Sequence, residues 1–296
     1  LAWLAERDPE AARLQGPENQ LDHYYVCPQA VRTALPEELY STTYIAERAS
    51  AWLEARAGSD RPFFLMVSWP DPHHPFNPPG RYWDMYKPED MELPAAFTRN
   101  DWVPPDHVAT AIRERESGDA QLQGMNSVAC DSREALEARA LTCGMIAMVD
   151  DAVGGVMASL NDTGAGDDTV VCFTADHGDH LGDHRLLFKG PEQYDQITRV
   201  PFIWSDPVGP SGTRESGIGQ THDFGTTVLE RAKIEAATGM QGIVLPVAGG
   251  EARPAALIQY EHQKPSAIFG SVPRVHSVHD GRWRLSVYDG SDLASF

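Results

Sequence analysis

The segment at residues 169–204, TVVCFTADHGDHLGDHRLLFKGPEQYDQITRVPFIW, decides how the rest of the chain is interpreted. It opens with a short β-branched, apolar run at 169–174, the pattern of a buried strand. The run is followed by Asp176 and His177, and open α/β sheets place their sites at the carboxyl ends of such strands. A carboxylate beside an imidazole suits a divalent cation with mixed oxygen and nitrogen ligands. The segment therefore predicts a metal or catalytic site, with a polar surface turn as the alternative.

Two glycines separate the three histidines of this segment. Because Gly178 and Gly182 disfavour a continuous helix, His177, His180 and His184 are not expected to share one helical face. Each histidine is therefore interpreted on its own rather than as a member of a helical cluster.

Three runs in this segment, TADHGDHLGDH, FKG and RVPFIW, together resemble the metal-site segment of the sulfatases, a family of the alkaline phosphatase-like superfamily. A second run, PFFLMVSWPDPHHPFNPP at 62–79, is similar to the sulfatase strand and loop that carry a substrate-binding histidine in a PHxPF setting. The resemblance extends, with gaps, from about Tyr44 to about Tyr288. It implies a sulfuric ester hydrolase that acts on a small-molecule sulfate ester through a formylglycine nucleophile.

The resemblance implies roles for five residues. Asp176 and His177 are the expected ligands of a divalent cation, Ca²⁺ in the first place, with Mg²⁺ or Mn²⁺ as alternatives. His73 and Lys189 are the expected donors to the ester oxygens, and Lys189 also protonates or stabilises the leaving oxygen. His184 is expected either to orient that lysine or to touch the leaving group.

Parts of the family's site have no counterpart in this sequence. The family's nucleophile lies in a Cys/Ser-x-Pro-Ser/Ala-Arg run, which the segment Cys27-Pro28-Gln29-Ala30 does not fit, so Cys27 is interpreted as structural. The paired acidic metal ligands of the family's first strand are not found in residues 1–40 either. We therefore expect the chain to be an internal fragment of a longer sulfatase-like enzyme, inactive on its own.

Two other functions remain open. The first is a phosphonate monoester or phosphodiester hydrolase on the same scaffold, using manganese or another divalent ion. The nucleophile segment that would help to separate it from a sulfatase is absent. The second is a non-catalytic binding protein with a degraded site, although the intact DHG, FKG and PHHPF runs argue against decay.

The charge balance narrows the range of partners. With 24 basic and 43 acidic residues the net charge is −19, which argues against nucleic acid and anionic membrane surfaces because both need basic patches. It does not decide between ester substrates, because a metal and a few local cations can reverse the field inside a site. No run of about eighteen apolar residues is present, so no membrane span is predicted. Oligomeric state and cellular location are not indicated.

The pattern of apolar residues predicts an α/β fold with a mostly parallel central sheet, and the resemblance to the sulfatases implies that this fold is an alkaline phosphatase-like sandwich. The expected strands of this sheet are 63–67, 169–174 and 199–204. The expected helices are 43–57, 134–160 and 223–237, the last with Asp223 as its N-cap. Residues 87–131 are expected to form an irregular excursion over the site.

Three more strands are expected near the end of the chain, at 255–260, 274–279 and 282–288. Asp280-Gly281 between the last two is a two-residue hairpin signal. Strands gathered after a region of alternating strands and helices predict a small antiparallel subdomain. The expected division is therefore a sulfatase-like domain at 1–248 and an antiparallel subdomain at 249–296.

Overall fold

The computed structural model describes residues 2–99, 101–124, 126–261, 272, 274–289 and 294–295. The chain divides into two compact units, each built from several stretches of sequence. Unit 1 comprises Leu1–Asp101, Glu114–Thr169 and His180–Phe188, and unit 2 comprises Trp102–Arg113, Val170–Asp179 and Lys189–Phe296. The expected boundary between residues 248 and 249 lies inside unit 2, and as a domain boundary it stays a prediction.

The described residues form a mixture of helices and strands. The α-helices are α1 (Ala2–Arg7), α2 (Ser41–Glu54), α3 (Asp106–Ser117), α4 (Ser132–Asp162), α5 (Asp195–Thr198) and α6 (Asp223–Arg231). The strands are β1 (Val128–Ala129), β2 (Val171–Thr174), β3 (Leu186–Leu187), β4 (Phe202–Ser205), β5 (Ala256–Glu261), β6 (Arg274–His279), β7 (Arg284–Asp289) and β8 (Ala294–Ser295).

Unit 1 is organised around α4, which packs against α2. The helix begins with a capping box: Asp131 accepts a hydrogen bond from the backbone of Glu134 at 2.8 Å, and the Glu134 carboxylate accepts one from the backbone of Asp131 at 2.9 Å. Further along, a Cβ atom on Gly144 would lie 2.3 Å from the carbonyl oxygen of Tyr82. Only glycine allows the helix to approach that loop so closely.

A buried carboxylate on α4 ties the start of the chain to this helix. Glu137 accepts hydrogen bonds from the backbone N–H groups of Val26 and Cys27, at 2.6 and 2.8 Å, and from Arg133 at 2.8 Å. The surrounding core of unit 1 is apolar: Tyr25, Cys27, Phe76, Trp83, Val128, Cys130, Ala135, Ala138, Leu141, Met145, Leu187 and Phe188.

By length and composition alone, α4 is apolar and long enough to cross a membrane. The expectation of no span rested on the lack of an uninterrupted apolar run, whereas the mean hydropathy of this predicted helix is raised by Ala, Met and Val. The core helix of a folded domain meets the same criterion. Within unit 1, α4 carries buried Glu134 and Glu137, both hydrogen-bonded to protein groups.

The described residues of unit 2 form two sheets. Strands β2 and β4 pair antiparallel, with Phe173 opposite Ile203, and strands β5 to β8 form a four-stranded antiparallel sheet in sequence order. The C-terminal antiparallel sheet confirms the expectation for this part of the chain. Between β6 and β7, the backbone N–H of Asp280 donates to Trp283 at 3.2 Å, and Gly281 has a φ of 92°. Four residues, 280–283, separate the two strands, whereas Asp280 and Gly281 alone were expected to do so.

The expectation of a mostly parallel sheet is not met within the described residues, where every strand pair is antiparallel. Residues 63–67 are extended but belong to no strand, because a strand needs a neighbour to take up its backbone hydrogen bonds. Side chains alternate along this stretch, and Phe64 and Met66 are 64% and 73% exposed. The alternation itself is that of a β-strand.

Two helices differ from expectation. Helix α3 lies inside the stretch 87–131 that was predicted to be irregular, and it buries His107 and Val108. Helix α6 ends at Arg231 rather than near residue 237, because Lys233 adopts a left-handed φ of 58° that a helix does not tolerate. Asp223 lies in the first turn of α6 and not at the N-cap.

Asp223 has a different structural role in unit 2. Its buried carboxylate forms an ion pair with Arg253 and accepts hydrogen bonds from the backbone of Gln220 and Ile243, each at 2.9 Å. Although burial alone would raise the pKa of this carboxyl, these partners hold the pKa below its ordinary value. The cluster ties α6 to the chain segments on either side of it.

Candidate functional site

Asp176 and His177 follow β2 in unit 2, as the sequence predicts for a site at the end of a strand. The Asp176 side chain is 88% exposed and that of His177 is 35% exposed. Asp176 Oδ2 lies 3.5 Å from His177 Nε2. Two atoms that each bind one cation at about 2.0–2.4 Å lie about this far from each other. The two atoms can therefore bind the same ion.

Hydrogen bonding fixes which ring nitrogen of His177 is available. Its Nδ1 lies 2.8 Å from the carbonyl oxygen of Gly178, and a carbonyl can only accept, so Nδ1 carries the proton. In the neutral ring Nε2 then presents a lone pair, as metal-binding histidines require. Gly178 itself donates to Ile197 at 2.8 Å, and a Cβ here would lie 1.8 Å from the carbonyl oxygen of Gln196. The turn after the histidine therefore requires glycine.

The donor set fits a divalent cation, but it is incomplete. The described residues contain no group of three or more His, Cys, Asp and Glu side chains placed to hold a metal. Asp176 and His177 supply two ligands, whereas divalent cations in proteins take four or more. Further ligands would have to come from water, substrate or other residues.

Lys189 lies near acidic side chains in the same unit. Burial lowers its pKa below the ordinary lysine value of 10.5, and this outweighs the opposing effect of Asp179 and Asp176. A lysine with a lowered pKa gives up its proton more readily. Lys189 belongs to unit 2, as Asp176 and His177 do, and its role as a donor stays a prediction.

His73 lies in unit 1, in the loop at residues 70–77. Its backbone N–H donates to Pro70 at 3.0 Å, and its ring Nδ1 lies 2.5 Å from the carbonyl oxygen of His74. Nδ1 must therefore carry a proton, and Nε2 carries one only in the imidazolium form. The expected role as a donor to an ester oxygen through Nε2 thus requires the protonated ring.

The neighbouring His74 has a core position. It is 4% exposed, and its ring lies 4.2 Å from that of Phe188 and 6.5 Å from that of Phe76, measured between centroids. Packing against phenylalanine rings is typical of a structural histidine. The loop therefore directs one histidine to the core and leaves His73, at the family's position, partly exposed.

Four hydrogen-bonding residues around the His73 loop were not singled out by the sequence analysis. The Tyr40 hydroxyl is near both Asp71 and Asn77, and the Thr42 hydroxyl donates to Asp71. Burial raises the pKa of the Asp71 carboxyl despite these hydrogen bonds. No sequence motif links Tyr40 or Thr42 to Asp71, which lies about thirty residues further along the chain. Asp71 itself could have been singled out because it lies only two residues before His73.

The stretch 180–188 in unit 1 has unusual backbone geometry. Four residues other than glycine have positive φ: Leu181 at 44°, His184 at 53°, Arg185 at 62° and Phe188 at 66°. Each such residue costs roughly 1–2 kcal/mol. Strain of this kind often occurs at functional sites, and the role of His184 in this stretch stays a prediction.

Two side chains of this stretch have defined surroundings. Burial, together with His180 and Arg99, lowers the pKa of His184 to about 4, so the ring is neutral at pH 7. Arg139 on α4 donates to the carbonyl oxygen of Leu181 at 3.3 Å and counteracts the effect of burial on the pKa of Asp183. Arg139 thus anchors the strained stretch to α4, a contact that no sequence pattern indicated.

The five expected site residues fall into two groups. Asp176, His177 and Lys189 belong to unit 2, and His73 and His184 belong to unit 1. Their action on one ester stays a prediction.

Cys27 was interpreted as structural, and its surroundings agree. It is 4% exposed, and burial together with the nearby Glu137 carboxylate raises the pKa of its thiol well above the ordinary value. A thiol in this state is a poor nucleophile at neutral pH.

Comparison with known proteins gives consistent results at the level of the family. The sulfatase family model matches residues 8–234. The multifunctional alkaline phosphatase superfamily protein PehA of Trinickia caryophylli is 36% identical over 204 residues, 66% of this chain and 38% of that protein. An arylsulfatase of Clostridium perfringens is 31% identical over 215 residues, 71% of this chain and 42% of that enzyme. The chain thus spans roughly two fifths of the length of these curated relatives.

Among solved structures, the phosphonate monoester hydrolase of Agrobacterium radiobacter matches with a TM-score of 0.77 at 24% identity. The match covers 99% of this chain and 61% of that one. The likeness confirms the predicted alkaline phosphatase-like α/β fold class. Since the family model covers most of the sequence, this chain belongs to the sulfatase family.

Proposed function

We propose that this chain carries the metal-binding and ester-binding residues of a sulfuric ester hydrolase that cleaves small-molecule sulfate esters. The observation that carries the proposal is the pair of donor atoms on Asp176 and His177, exposed after β2 and 3.5 Å apart. The remaining nitrogen of the histidine is engaged by a carbonyl. Similarity to an arylsulfatase supports the choice of substrate class.

The proposed cofactor is a divalent cation bound by Asp176 and His177, where it would polarise an ester oxygen. The family resemblance favours Ca²⁺, which prefers oxygen ligands. Carboxylate ligands suit Mg²⁺ and Mn²⁺ as well, so Ca²⁺, Mg²⁺ and Mn²⁺ all belong in the test.

The other residues act on the ester through hydrogen bonds and proton transfer. The lowered pKa of Lys189 makes its ammonium a stronger acid towards the departing oxygen. His73 in its imidazolium form would donate from Nε2 to an ester oxygen. His184, with a pKa of about 4, would contribute a neutral N–H rather than a charge, either to the leaving group or to the orientation of Lys189.

The proposed nucleophile is a formylglycine. The 296 residues contain no Cys/Ser-x-Pro-Ser/Ala-Arg run from which it could form. We therefore propose that it belongs to a longer parent protein and that the isolated chain does not hydrolyse sulfate or phosphate esters. Reading the upstream DNA for that codon run tests this part directly, and robust metal-dependent turnover of an aryl sulfate by the isolated chain would contradict it.

The test of the activity is an assay of the parent protein on an aryl sulfate, after removal of metal and after return of each cation. We expect hydrolysis that is lost with a chelator and restored by one divalent ion. Binding of the ester without turnover, in a parent that carries the nucleophile, would instead indicate a non-catalytic binding protein. Turnover that survives complete metal removal would refute the proposed role of Asp176 and His177.

A phosphonate monoester or phosphodiester hydrolase is the second candidate. It is supported by the match of 99% of this chain to the phosphonate monoester hydrolase structure and by the multifunctional relative. Aryl sulfate, aryl phosphonate monoester and phosphodiester substrates, compared through kcat/KM on one enzyme sample, separate the candidates. A higher value for the aryl sulfate favours the sulfatase, and a higher value for either phosphorus ester favours the alternative.

A further inference from the structure

The loop that carries His73 is held at both ends by one side chain. The hydroxyl oxygen of Tyr40 lies 3.2 Å from Asp71 Oδ1 and 2.9 Å from Asn77 Oδ1. Asp71 precedes His73 by two residues and Asn77 follows it by four. Tyr40 is 5% exposed, and its ring packs in a core cluster with Tyr82. The buried ring therefore holds the hydroxyl in place between Asp71 and Asn77, on either side of His73 in sequence.

One hydroxyl group serves both contacts. A phenol has one proton, so Tyr40 donates to one of the two oxygens at a time. Asp71 Oδ1 and Asn77 Oδ1 both lie within hydrogen-bond distance of it. The same side chain therefore contacts the segment before His73 and the segment after it.

Asp71 is held by a second hydroxyl as well. Thr42, which is fully buried, donates to Oδ2 of Asp71. The carbonyl oxygen of Thr42 in turn accepts from Nε1 of Trp69, at 3.2 Å. Both oxygens of the Asp71 carboxylate are therefore engaged by groups at the start of α2, and the near end of the loop is fixed there.

We propose that Tyr40 is a positioning residue for His73: by joining Asp71 to Asn77, it sets the direction of the His73 ring. The ring depends on the loop itself, because Nδ1 donates to the carbonyl oxygen of His74 at 2.5 Å. When the two ends of the loop separate, that carbonyl moves and the ring loses its orientation. A shift of about 1 Å in a catalytic group can reduce the rate about 100-fold.

The structural part of this inference is tested on the isolated chain. Nuclear magnetic resonance of ¹⁵N-histidine reports which ring nitrogen carries the proton, and His73→Gln identifies the His73 signals. We expect the Nδ1–H form in the wild type and a mixture of tautomers in Tyr40→Phe. Thr42→Val, which leaves the Tyr40 hydroxyl in place, should give a smaller change in the same direction. An unchanged His73 ring in both variants overturns the proposal.

The matched control is Tyr82→Phe. Tyr82 is buried in the same core cluster as Tyr40, but its hydroxyl lies 2.6 Å from Asp151 Oδ2 on α4 rather than at the loop. The same atom is removed, so a general loss of packing would affect both variants alike. We expect the His73 signals to be unaltered in Tyr82→Phe, and an equal change in both variants would refute a specific role for Tyr40.

The catalytic consequence rests on the proposed function and is measured in the parent enzyme. Tyr40→Phe should lower kcat on the preferred ester about tenfold, and Tyr82→Phe should stay within about twofold. In a His73→Ala background, Tyr40→Phe should cause no further loss, because the two residues act as one unit. Fully additive losses would overturn the positioning role. A changed ring signal in a parent without ester hydrolysis would refute the proposed function and leave the structural inference intact.

Discussion

Two segments of the chain place an aspartate within two residues of a histidine of the candidate site, and the two aspartates have opposite surroundings. The Asp176 side chain is 88% exposed and accepts a hydrogen bond from the backbone of the following residue. Asp71 is partly buried, and hydroxyl groups engage both of its carboxylate oxygens. One carboxylate can reach a ligand from solvent, whereas the other is held by the protein.

The comparison shows that residue type and spacing define a candidate, while the environment defines its role. A carboxylate binds a cation only where its lone pairs are not already taken by protein donors. The same criterion separates the histidines. His177 keeps Nε2 as a lone pair for a cation, and His73 offers Nε2 as a donor only when the ring is protonated.

The largest expected effect comes from removing the exposed carboxylate. In the parent enzyme, Asp176→Ala should abolish most metal binding and lower kcat on the order of 10³-fold, because the cation loses its charged ligand. Metal stoichiometry and turnover are the measurements. Asp71→Ala is the comparison variant, and it should retain the metal. Full metal occupancy in Asp176→Ala would show that the exposed aspartate is not a ligand.

Lys189→Ala should lower turnover by about 10²- to 10³-fold while the metal content stays unchanged, because its charge acts on the ester rather than on the ion. The protonated lysine is the active form in the proposed mechanism, and burial lowers its pKa below 10.5. Activity of the wild type should therefore fall as pH rises through this lowered pKa. A pH–rate profile records the fall, and Lys189→Arg should shift it upwards because arginine stays protonated. Metal loss in Lys189→Ala would contradict the separation of ligand and donor.

His184 is expected to make the fold sensitive to acid. Its pKa is about 4 in the folded chain against an ordinary value of 6.5, so the unfolded state binds the proton more tightly. Stability from this group is present above pH 6.5 and is lost as pH falls towards 4. The free energy of unfolding should fall between pH 7 and pH 5, and His184→Gln should make that fall smaller by about 1 kcal/mol. Urea unfolding of both proteins at pH 7 and pH 5 measures the fall. An equal fall in the wild type and the variant would argue against a buried neutral ring.

Asp71→Asn should have the smallest effect. Burial raises the pKa of Asp71 in the folded chain above its ordinary value, so the folded state binds the proton more tightly. The stabilising effect is present at low pH and is lost as pH rises through the folded pKa. Asparagine keeps one acceptor oxygen but does not titrate, so this pH dependence of stability should disappear. We expect the free energy of unfolding at pH 7 to change by no more than about 1 kcal/mol. Unfolding free energies from pH 3 to 7 provide the test, and the same pH dependence in the variant would assign it to another group.

Much of the fold could be predicted because its signals are local. The apolar period predicted α4 and α2 to within a few residues, and the β-branched runs predicted β2, β4 and the C-terminal strands. The predicted parallel sheet does not occur among the described strands, because the pairing of a strand depends on its neighbours and not on its own sequence. Helix α3 was missed because polar residues dominate its stretch and weaken the apolar period.

The candidate site was predictable only as far as its motifs extend. The runs around Asp176 and Lys189 marked the residues, and the structure added the ring nitrogen of His177 and the lowered pKa of Lys189. Tyr40 and Arg139 could not be predicted. Each reaches its partner through tertiary packing, 31 and 42 positions away in sequence.

The hydrogen bonds that the Glu137 carboxylate accepts from the backbone of Val26 and Cys27 have a kinetic consequence. They join positions 111 and 110 residues apart, and contacts across such separations form slowly because a long loop of chain must first be closed. Helix α4 relies on local contacts and forms quickly. The segment around Cys27 is therefore expected to dock in a late step of folding, and until that step its thiol stays open to alkylating reagents.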